Sequence, residues 1–445
     1  MSMQEGIMDK IVSLAKRRGF VFQGSELYGG LQGTWDYGPL GVLMKNNIKA
    51  AWWKKNVQER QDMVGLDAAI LMNRKVWEAS GHTKFMFDDL VECKKCHHRF
   101  RKDKVGSKCP DCGGEFSDAK PFNLMLETAL GPVANDEAKT FLRPETAQGI
   151  FVDYPLIQET MRRKLPFGVA QIGKSFRNEI TPGNFVFRVR EFEQMEIEYF
   201  CKPEDGMAKY EEWRQNRLAW WKELGIKEEN IRFYEYKKEE LAHYSAGTTD
   251  VQFAFPFGKE GWDELEGIAN RTDFDLSAHA KASGQELVYF DEETKKKITP
   301  HVIEPSAGVD RAFLAFMLNG YEEISGGRST TTESIKETEI VLHLHPAIAP
   351  FKAAVLPLSK KSELSGPAKE LTAQLRKRWM VDYDEVASIG KRYRREDEIG
   401  TPYCITYDFD SLEDKKVTVR DRDTMKQDRV ALVELEDYLE EKLRY

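Results

Sequence analysis

Six cysteines occur in the chain, and four of them form two close pairs, Cys93-x-x-Cys96 and Cys109-x-x-Cys112, twelve residues apart. Pro110 and Gly113 give the second pair a tight turn. In a reducing compartment such spacing points to metal rather than disulfides. Four thiolates on two turns make a tetrahedral cage for Zn²⁺, and a cage closed to water is structural. His97 and His98 stand beside the first pair and are bystanders when four sulfurs are available; four free thiols are the alternative. Cys201 and Cys404 are isolated, as packed thiols are.

A second constellation is Phe176-Arg177-Asn178-Glu179, followed after Thr181-Pro182-Gly183 by Phe187-Arg188-Val189-Arg190-Glu191-Phe192. Arg177 offers a planar fork of donors suited to a phosphate or carboxylate, and Glu179 offers acceptors suited to an exocyclic amine. Phe192 offers a face for a nucleobase. Spacing alone fits cross-strand salt bridges equally well.

The elements that must position these groups are legible in outline. Two β-rich runs between Phe167 and Phe200, with the Thr181–Gly183 turn between them, predict an antiparallel hairpin that carries Phe187–Phe192 on its second strand. Ile7–Arg18 has helical periodicity, and Val42–Gln58 reads as a long amphipathic helix after Tyr37-Gly38-Pro39, its Trp52–Trp53 pair suited to a core or to an oligomer interface. The cysteines define an insertion of about residues 91–116. Gly206–Leu224 and Glu228–His243 are charged and read as helical, an insertion of about residues 203–243. Trp262–Ala278 and Gln285–Val302 supply further strands, and Gly308–Asn319 opens an apolar helix. After Ile324–Thr332 the character changes: a strand at Ile340–His345, a helix at Ala368–Trp379 and strands at Tyr403–Tyr407 and Lys416–Arg420 predict a separate α/β domain. A chain of 445 residues is expected to divide in this way.

The net charge of −8 argues against a protein coated with positive charge for non-specific DNA binding. Local basic clusters remain, at Arg162–Lys164, Arg376–Arg378 and Lys391–Arg395. No stretch approaches the roughly 18 apolar residues of a membrane span, and Met1–Lys10 does not read as a leader. A soluble, cytoplasmic protein without membrane or DNA partners is expected.

Several of these segments, in order, resemble a known family. Phe176–Glu179 looks like motif 2 of the class II aminoacyl-tRNA synthetases, and Gly308-Val309-Asp310-Arg311 looks like motif 3. Leu142-Arg143-Pro144-Glu145-Thr146-Ala147-Gln148-Gly149, Val302–Gly308 and Tyr37-Gly38-Pro39-Leu40-Gly41 resemble stretches of the homodimeric glycyl-tRNA synthetases, the helix after Tyr37–Gly41 standing where motif 1 would be. The resemblance implies an α+β fold: a catalytic core on an antiparallel sheet flanked by helices over residues 1–335, the zinc-knuckle insertion, and a mixed α/β anticodon-binding domain over 336–445. It implies a homodimer that joins glycine to tRNA with ATP and Mg²⁺, through glycyl-adenylate.

Residue by residue, the resemblance implies that Arg177 holds the ATP α-phosphate and the glycine carboxylate, an electrostatic role. Glu179 would take the adenine amine, Phe192 would stack under the ring, and Arg311 would cover its other face and reach the γ-phosphate. Asn178, Phe187, Arg188, Val189, Arg190 and Glu191 complete the ATP set, with Glu264-Leu265 and Gly308-Val309-Asp310. Glu264 resembles a Mg²⁺-holding strand carboxylate, and strict alternation puts Glu266 on the same face. The glycine set is Glu145, Phe192-Glu193-Gln194-Met195-Glu196 and Glu304-Pro305-Ser306-Ala307-Gly308, with Arg101 added. Glu145, Glu196 and Glu304 would surround the ammonium group, and a pocket for the smallest amino acid rejects larger ones by overlap, so no editing domain is required. Asp310 departs from the general motif, where glycine is common; a carboxylate there can orient Arg311 or compete with ATP for it.

Two other readings belong to different classes. A nucleic-acid-binding protein that kept the fold and lost the chemistry should have lost Arg177, Glu179 or Arg311, all of which are present. A synthetase for serine, threonine, proline or histidine is disfavoured by three glutamates in the substrate pocket with no thiol or zinc there.

Overall fold

The computed structural model describes residues 6–132, 138–237, 239–241, 245–328 and 338–445. The 335/336 domain boundary and residue 243, the end of the expected helical insertion, lie outside them.

Apolar periodicity builds the first elements. Helix α1 (Ile7–Arg17) buries Ile7, Ile11, Leu14 and Ala15 on one stripe. Pro39 opens α2 (Pro39–Trp53), where its fixed φ suits the first turn; Met44, Ile48 and Trp52 are buried, and the chain runs on through a single π turn to Gln58. Trp53 lies so close over Gly65 that a Cβ there would be 2.4 Å from its ring. The tryptophan pair therefore packs within the chain, and Gly65 leaves the room it needs.

The centre is a seven-stranded sheet. Its strands are β1 (Met63–Gly65), β2 (Phe167–Phe176), β3 (Glu191–Cys201), β4 (Ile231–Glu235), β5 (Gly247–Phe253), β6 (Asp263–Thr272) and β7 (His301–Gly308), in spatial order β4-β5-β6-β7-β3-β2-β1. All neighbours are antiparallel except β1 and β2. Alternation on β3 sends Met195, Ile197 and Tyr199 into the main core, with Trp221 and Phe316. Those two come from α4 (Gly206–Glu223) and α6 (Val309–Gly320). The other face carries Gln194, Glu196 and Glu198, then Phe200, which joins Phe151 and Tyr154 of α3 (Ala147–Thr160) and Leu276 of α5 (Phe274–Ser283). One strand thus has an apolar face and a face split between chemistry and packing.

Three local expectations are corrected. Phe187–Arg190 does not lie on a strand: β3 begins at Glu191, and residues 177–190 form a loop. Asn184 and Phe185 take left-handed φ values of 56° and 58°, which turns buried Phe185, Val186 and Phe187 into the core. The described start of this segment, Glu228–Glu235, is not a helix. After one 3₁₀ turn it becomes β4, paired from Ile231↔Phe253 to Glu235↔Thr249, so sheet pairing overrides the charged, helix-favouring composition. Glu264 and Glu266 do not share a face. Val251 pairs with Glu266 and Gln252 with Glu264, a bulge that leaves Leu265 unpaired and turns Glu266 with Leu265 toward the helices.

The C-terminal sheet has strands β8 (Ala353–Pro357), β9 (Val381–Tyr383), β10 (Tyr403–Tyr407), β11 (Lys416–Asp421) and β12 (Gln427–Ala431) in order β9-β8-β10-β11-β12, parallel then antiparallel. Helices α7 (Ser362–Leu375) and α8 (Leu435–Leu443) share its core through Leu364, Leu371, Leu435 and Leu439. Much of the basic sequence here is committed internally. Arg392 is buried and donates to Pro357 O and Asp384 O, Arg376 donates to Val381 O, and Arg378 pairs with Glu436 and Glu440. Arg394 pairs with Glu339 and Arg395 with Asp384, while Lys391 has no partner among the described residues. No described helix is long and apolar enough to cross a membrane.

Candidate active site

Between the polar face of β3, β6 and β7 and the 177–190 loop lies a cavity of about 430 Å³. Arg177, Glu179, Phe187, Arg188, Val189 and Phe192 line one side, Glu264, Gly308 and Arg311 another, and Glu145, Gln194, Glu196, Glu304 and Ser306 the floor. Segments more than a hundred residues apart in sequence meet here because β3 is the common neighbour of β2 and β7.

Arg177 is tethered once, its Nε donating to Pro144 O at 3.1 Å, with the guanidinium 5.4 Å above the Phe192 ring. Its terminal nitrogens have no acceptor among the described residues, so the fork is available to an anion in the cavity. Arg311 stacks 4.3 Å from the Phe187 ring, pairs with Glu264 at 3.0 Å and donates to Glu264 O at 3.1 Å. Asp310 does not compete for it. Its carboxylate accepts from Tyr37 Oη at 2.6 Å, Lys45 Nζ at 2.9 Å and the Glu193 amide at 2.9 Å. Lys45 is held protonated: burial opposes the charge, but Asp310 and Glu193 outweigh it. Asp310 thus ties the start of α6 to α2 instead of touching ATP's expected arginine.

The floor is a charge cluster with Arg271 at its centre. Arg271 Nη1 reaches both Glu304 oxygens at 3.0 Å, while Nε and Nη2 clasp Asp275 at 2.7 and 3.0 Å. Burial pushes Glu304 up to about 8 against the pull of Arg271, with Glu196 and Glu145 adding to the rise. Glu145 stays well below the usual carboxylate range although burial opposes it, because His82 lies 3.2 Å away and Arg271 is near. Glu196 is raised by burial and by Glu145; it accepts a short hydrogen bond from Thr146. Burial and neighbouring Glu264 push Asp250 up to about 7, and Tyr236 donates to it at 2.9 Å.

Other expected site residues stand outside this cavity. Asn178 is fixed through its amide to Leu124 O, Arg190 donates to Gln32 O and Glu179 O, and Glu191 pairs with Lys174. Glu193 faces Lys45 and Lys49, Met195, Leu265, Ala307 and Val309 are core, and Pro305 is buried. Arg101 pairs with Asp88 and Asp103. The four cysteines do meet: their sulfurs all lie within 4.8 Å of one another, with Cys93–Cys112 at 3.4 Å and Cys96–Cys109 at 3.6 Å. Amide donors from Cys96 and Lys95 hold the Cys93 thiol down at about 6. His97 pairs with Glu92 and His98 with Asp111.

Comparison with known proteins agrees with this architecture. Residues 132–321 match the tRNA synthetase class II core domain (G, H, P, S and T), and residues 352–442 match the anticodon binding domain. Over its whole length the chain is 52% identical to the glycine–tRNA ligase of Thermobifida fusca, covering 99% of that protein. It is 54% identical to that of Geobacillus kaustophilus over 98% of this chain and 99% of the other. The chain belongs to the glycine–tRNA ligase family. A prolyl-tRNA synthetase from Cryptosporidium parvum, solved with halofuginone and AMPPNP, shares the architecture at a TM-score of 0.66 and 14% identity, over all of this chain and 78% of the other.

Within this family member, sequence reasoning passed over Arg271, His82, Thr146, Asp250 and Tyr236. Arg271 and Asp275 stand four residues apart but on β6 and α5, so their pairing follows from the strand-to-helix turn and not from helical spacing. His82 had no signal either, since it reaches Glu145 from a separate short helix.

Proposed function

We propose that this chain activates glycine with ATP and transfers it to tRNA, and that the cavity described above is where both steps occur. The observation that carries this reading is the convergence of two arginines, Arg177 and Arg311, on a cavity floored by three carboxylates. The arginines suit a triphosphate, and the carboxylates suit an ammonium group with no side chain beyond it.

In the first step a glycine carboxylate oxygen attacks the α-phosphorus, and the bond to the pyrophosphate oxygen breaks with its electron pair. Arg177, lying between the Phe192 face and the floor, neutralises charge on the α-phosphate and aligns the carboxylate. Arg311, fixed by Glu264 and Phe187, holds the outer phosphates. Glu145, held ionised, draws in the ammonium group, and Glu196 and Glu304 accept hydrogen bonds from it. In the second step the terminal ribose hydroxyl of tRNA attacks the activated carbonyl and AMP leaves, its phosphate accepting the proton. Glu264, with Asp250 beside it, offers the hard oxygen donors that Mg²⁺ requires, and the ion would supply charge neutralisation on the phosphates. The C-terminal domain supports anticodon contact through exposed cations such as Lys391.

Zinc belongs to the same reading. A tetrahedral Zn²⁺ with bonds of about 2.3 Å places its sulfurs about 3.8 Å apart, close to the separations found here. Purified protein is expected to hold one zinc per chain, measured by atomic emission, and Cys96→Ser with Cys109→Ser should abolish it. Retention of full zinc by that double variant would refute the assignment. A homodimer is expected from sedimentation equilibrium, as the family resemblance implies.

The direct test is ATP–pyrophosphate exchange with each of the twenty amino acids. Exchange with glycine at least 100-fold above alanine is expected, because a methyl group must displace a floor built from close-packed side chains. Exchange with another amino acid would keep the fold and discard the pocket assignment.

A further inference from the structure

Directly behind the floor sits Glu198. It lies two residues beyond Glu196 on the same face of β3, fully buried, and neither of its carboxyl oxygens has a hydrogen-bond partner. One of its carboxyl oxygens and one each from Glu196 and Glu304 lie within 4.8 Å of one another. The register explains the placement: Glu196 pairs with Ser306 and Tyr199 with Ile303, which brings Glu198 alongside Glu304. The only described cation of this cluster, Arg271, is already spent on Asp275 and Glu304.

A carboxylate buried without a donor is among the least favourable groups a protein can hold, and it takes up a proton instead. The carboxylic acid then has one O–H to place, and its nearest acceptors are the neighbouring carboxyl groups. We infer that Glu198 is a positioning residue: it stands as a neutral acid that donates a hydrogen bond to the glycine-facing carboxyl groups, chiefly Glu304, and fixes their orientation from behind. The groups facing Glu198 are Glu304, Arg271, Glu196 and Asp275, three acids and one base, so burial and its neighbours both favour the protonated form. The donated hydrogen bond fills one lone pair of Glu304, Arg271 occupies others, and what remains is directed at the substrate. The acid also holds down the number of charges beneath the pocket, which would otherwise repel the substrate carboxylate.

This inference rests on the proposed function, and its test separates the two. Glu198→Ala removes the donor and opens a void; Glu198→Gln keeps the size and an N–H donor and cannot ionise. In pyrophosphate exchange, Glu198→Ala is expected to raise the KM for glycine at least 10-fold while the KM for ATP changes less than 2-fold. Glu198→Gln should restore the glycine KM to within about 3-fold of the original. Thermal unfolding of both variants is recorded alongside, and a general structural defect would move both KM values together. Wild-type exchange with glycine but a Glu198→Gln variant as impaired as Glu198→Ala would overturn this inference alone, since it would mean that a negative charge is needed. Unaltered kinetics in both variants would overturn it too. No glycine-dependent exchange in the wild type would overturn the proposed function and this inference with it.

Discussion

Replacing Arg177 by alanine is expected to lower glycine-dependent pyrophosphate exchange by about 10²–10³-fold, equivalent to about 2.7–4 kcal/mol of transition-state stabilisation. The fold should be unaffected. Arg177 has a single tether, to Pro144 O, and stacks on Phe192 at the edge of the cavity, so its removal strands no buried partner. The loss should fall on kcat more than on the KM for glycine, because charge on the α-phosphate grows as the carboxylate attacks. Arg177→Lys should recover little of it, since a point charge cannot bridge phosphate and carboxylate as a planar fork does. Undiminished exchange by Arg177→Ala would show that the phosphate is neutralised elsewhere and would transfer the role to Arg311.

The second large effect concerns stability and separates two glutamates that lie two residues apart. Glu266→Ala should destabilise the chain by about 3–5 kcal/mol, the usual consequence of leaving a buried charge without its partner. Glu266 accepts from Arg217 Nε at 2.6 Å and from Trp221 Nε1 at 2.6 Å, and both members of the ion pair are 1% exposed. Among the described residues, the stranded guanidinium would keep only Asn56 and the faces of Trp52 and Trp220. Glu264→Ala should leave unfolding almost unchanged, because its side chain is 44% exposed and its pairing with Arg311 is open to solvent. It should instead raise the Mg²⁺ concentration needed for half-maximal exchange several-fold. Paired unfolding curves and Mg²⁺ titrations of the two variants decide this. Similar losses of stability in both would mean that the bulge at Leu265 does not separate them.

That bulge shows where reading a sequence stops. Alternation in Trp262–Gly267 assigns Glu264 and Glu266 to one face, and nothing in the residues themselves marks the extra residue, because the bulge is a property of pairing with β5. The loop from Arg177 to Arg190 is a similar case. Its residues have strand-forming composition, but burial of Phe185–Phe187, with Phe187 packed edge-on against Phe255 and Phe257, prevails over local preference. Asp310 is a third. Beside Arg311 in sequence it could orient the guanidinium or compete with ATP; in three dimensions Tyr37, just ahead of α2, and Lys45, on α2, engage it.

By itself the sequence determined the α+β class, the cysteine cluster and, in the C-terminal domain, the strands at Tyr403–Tyr407 and Lys416–Asp421. Those features reside in periodicity, turn residues and short spacings, which act within one or two elements and survive without knowledge of the rest. Tertiary structure alone decided which of two glutamates faces the cavity, that Arg271 stands among the floor's carboxylates, and that Glu198 lies behind them without a donor. Each of these depends on register and burial between strands distant in the chain. Burial also sets the charge a carboxyl can carry, so the chemistry of the floor is fixed by the fold and not by the letters that spell it.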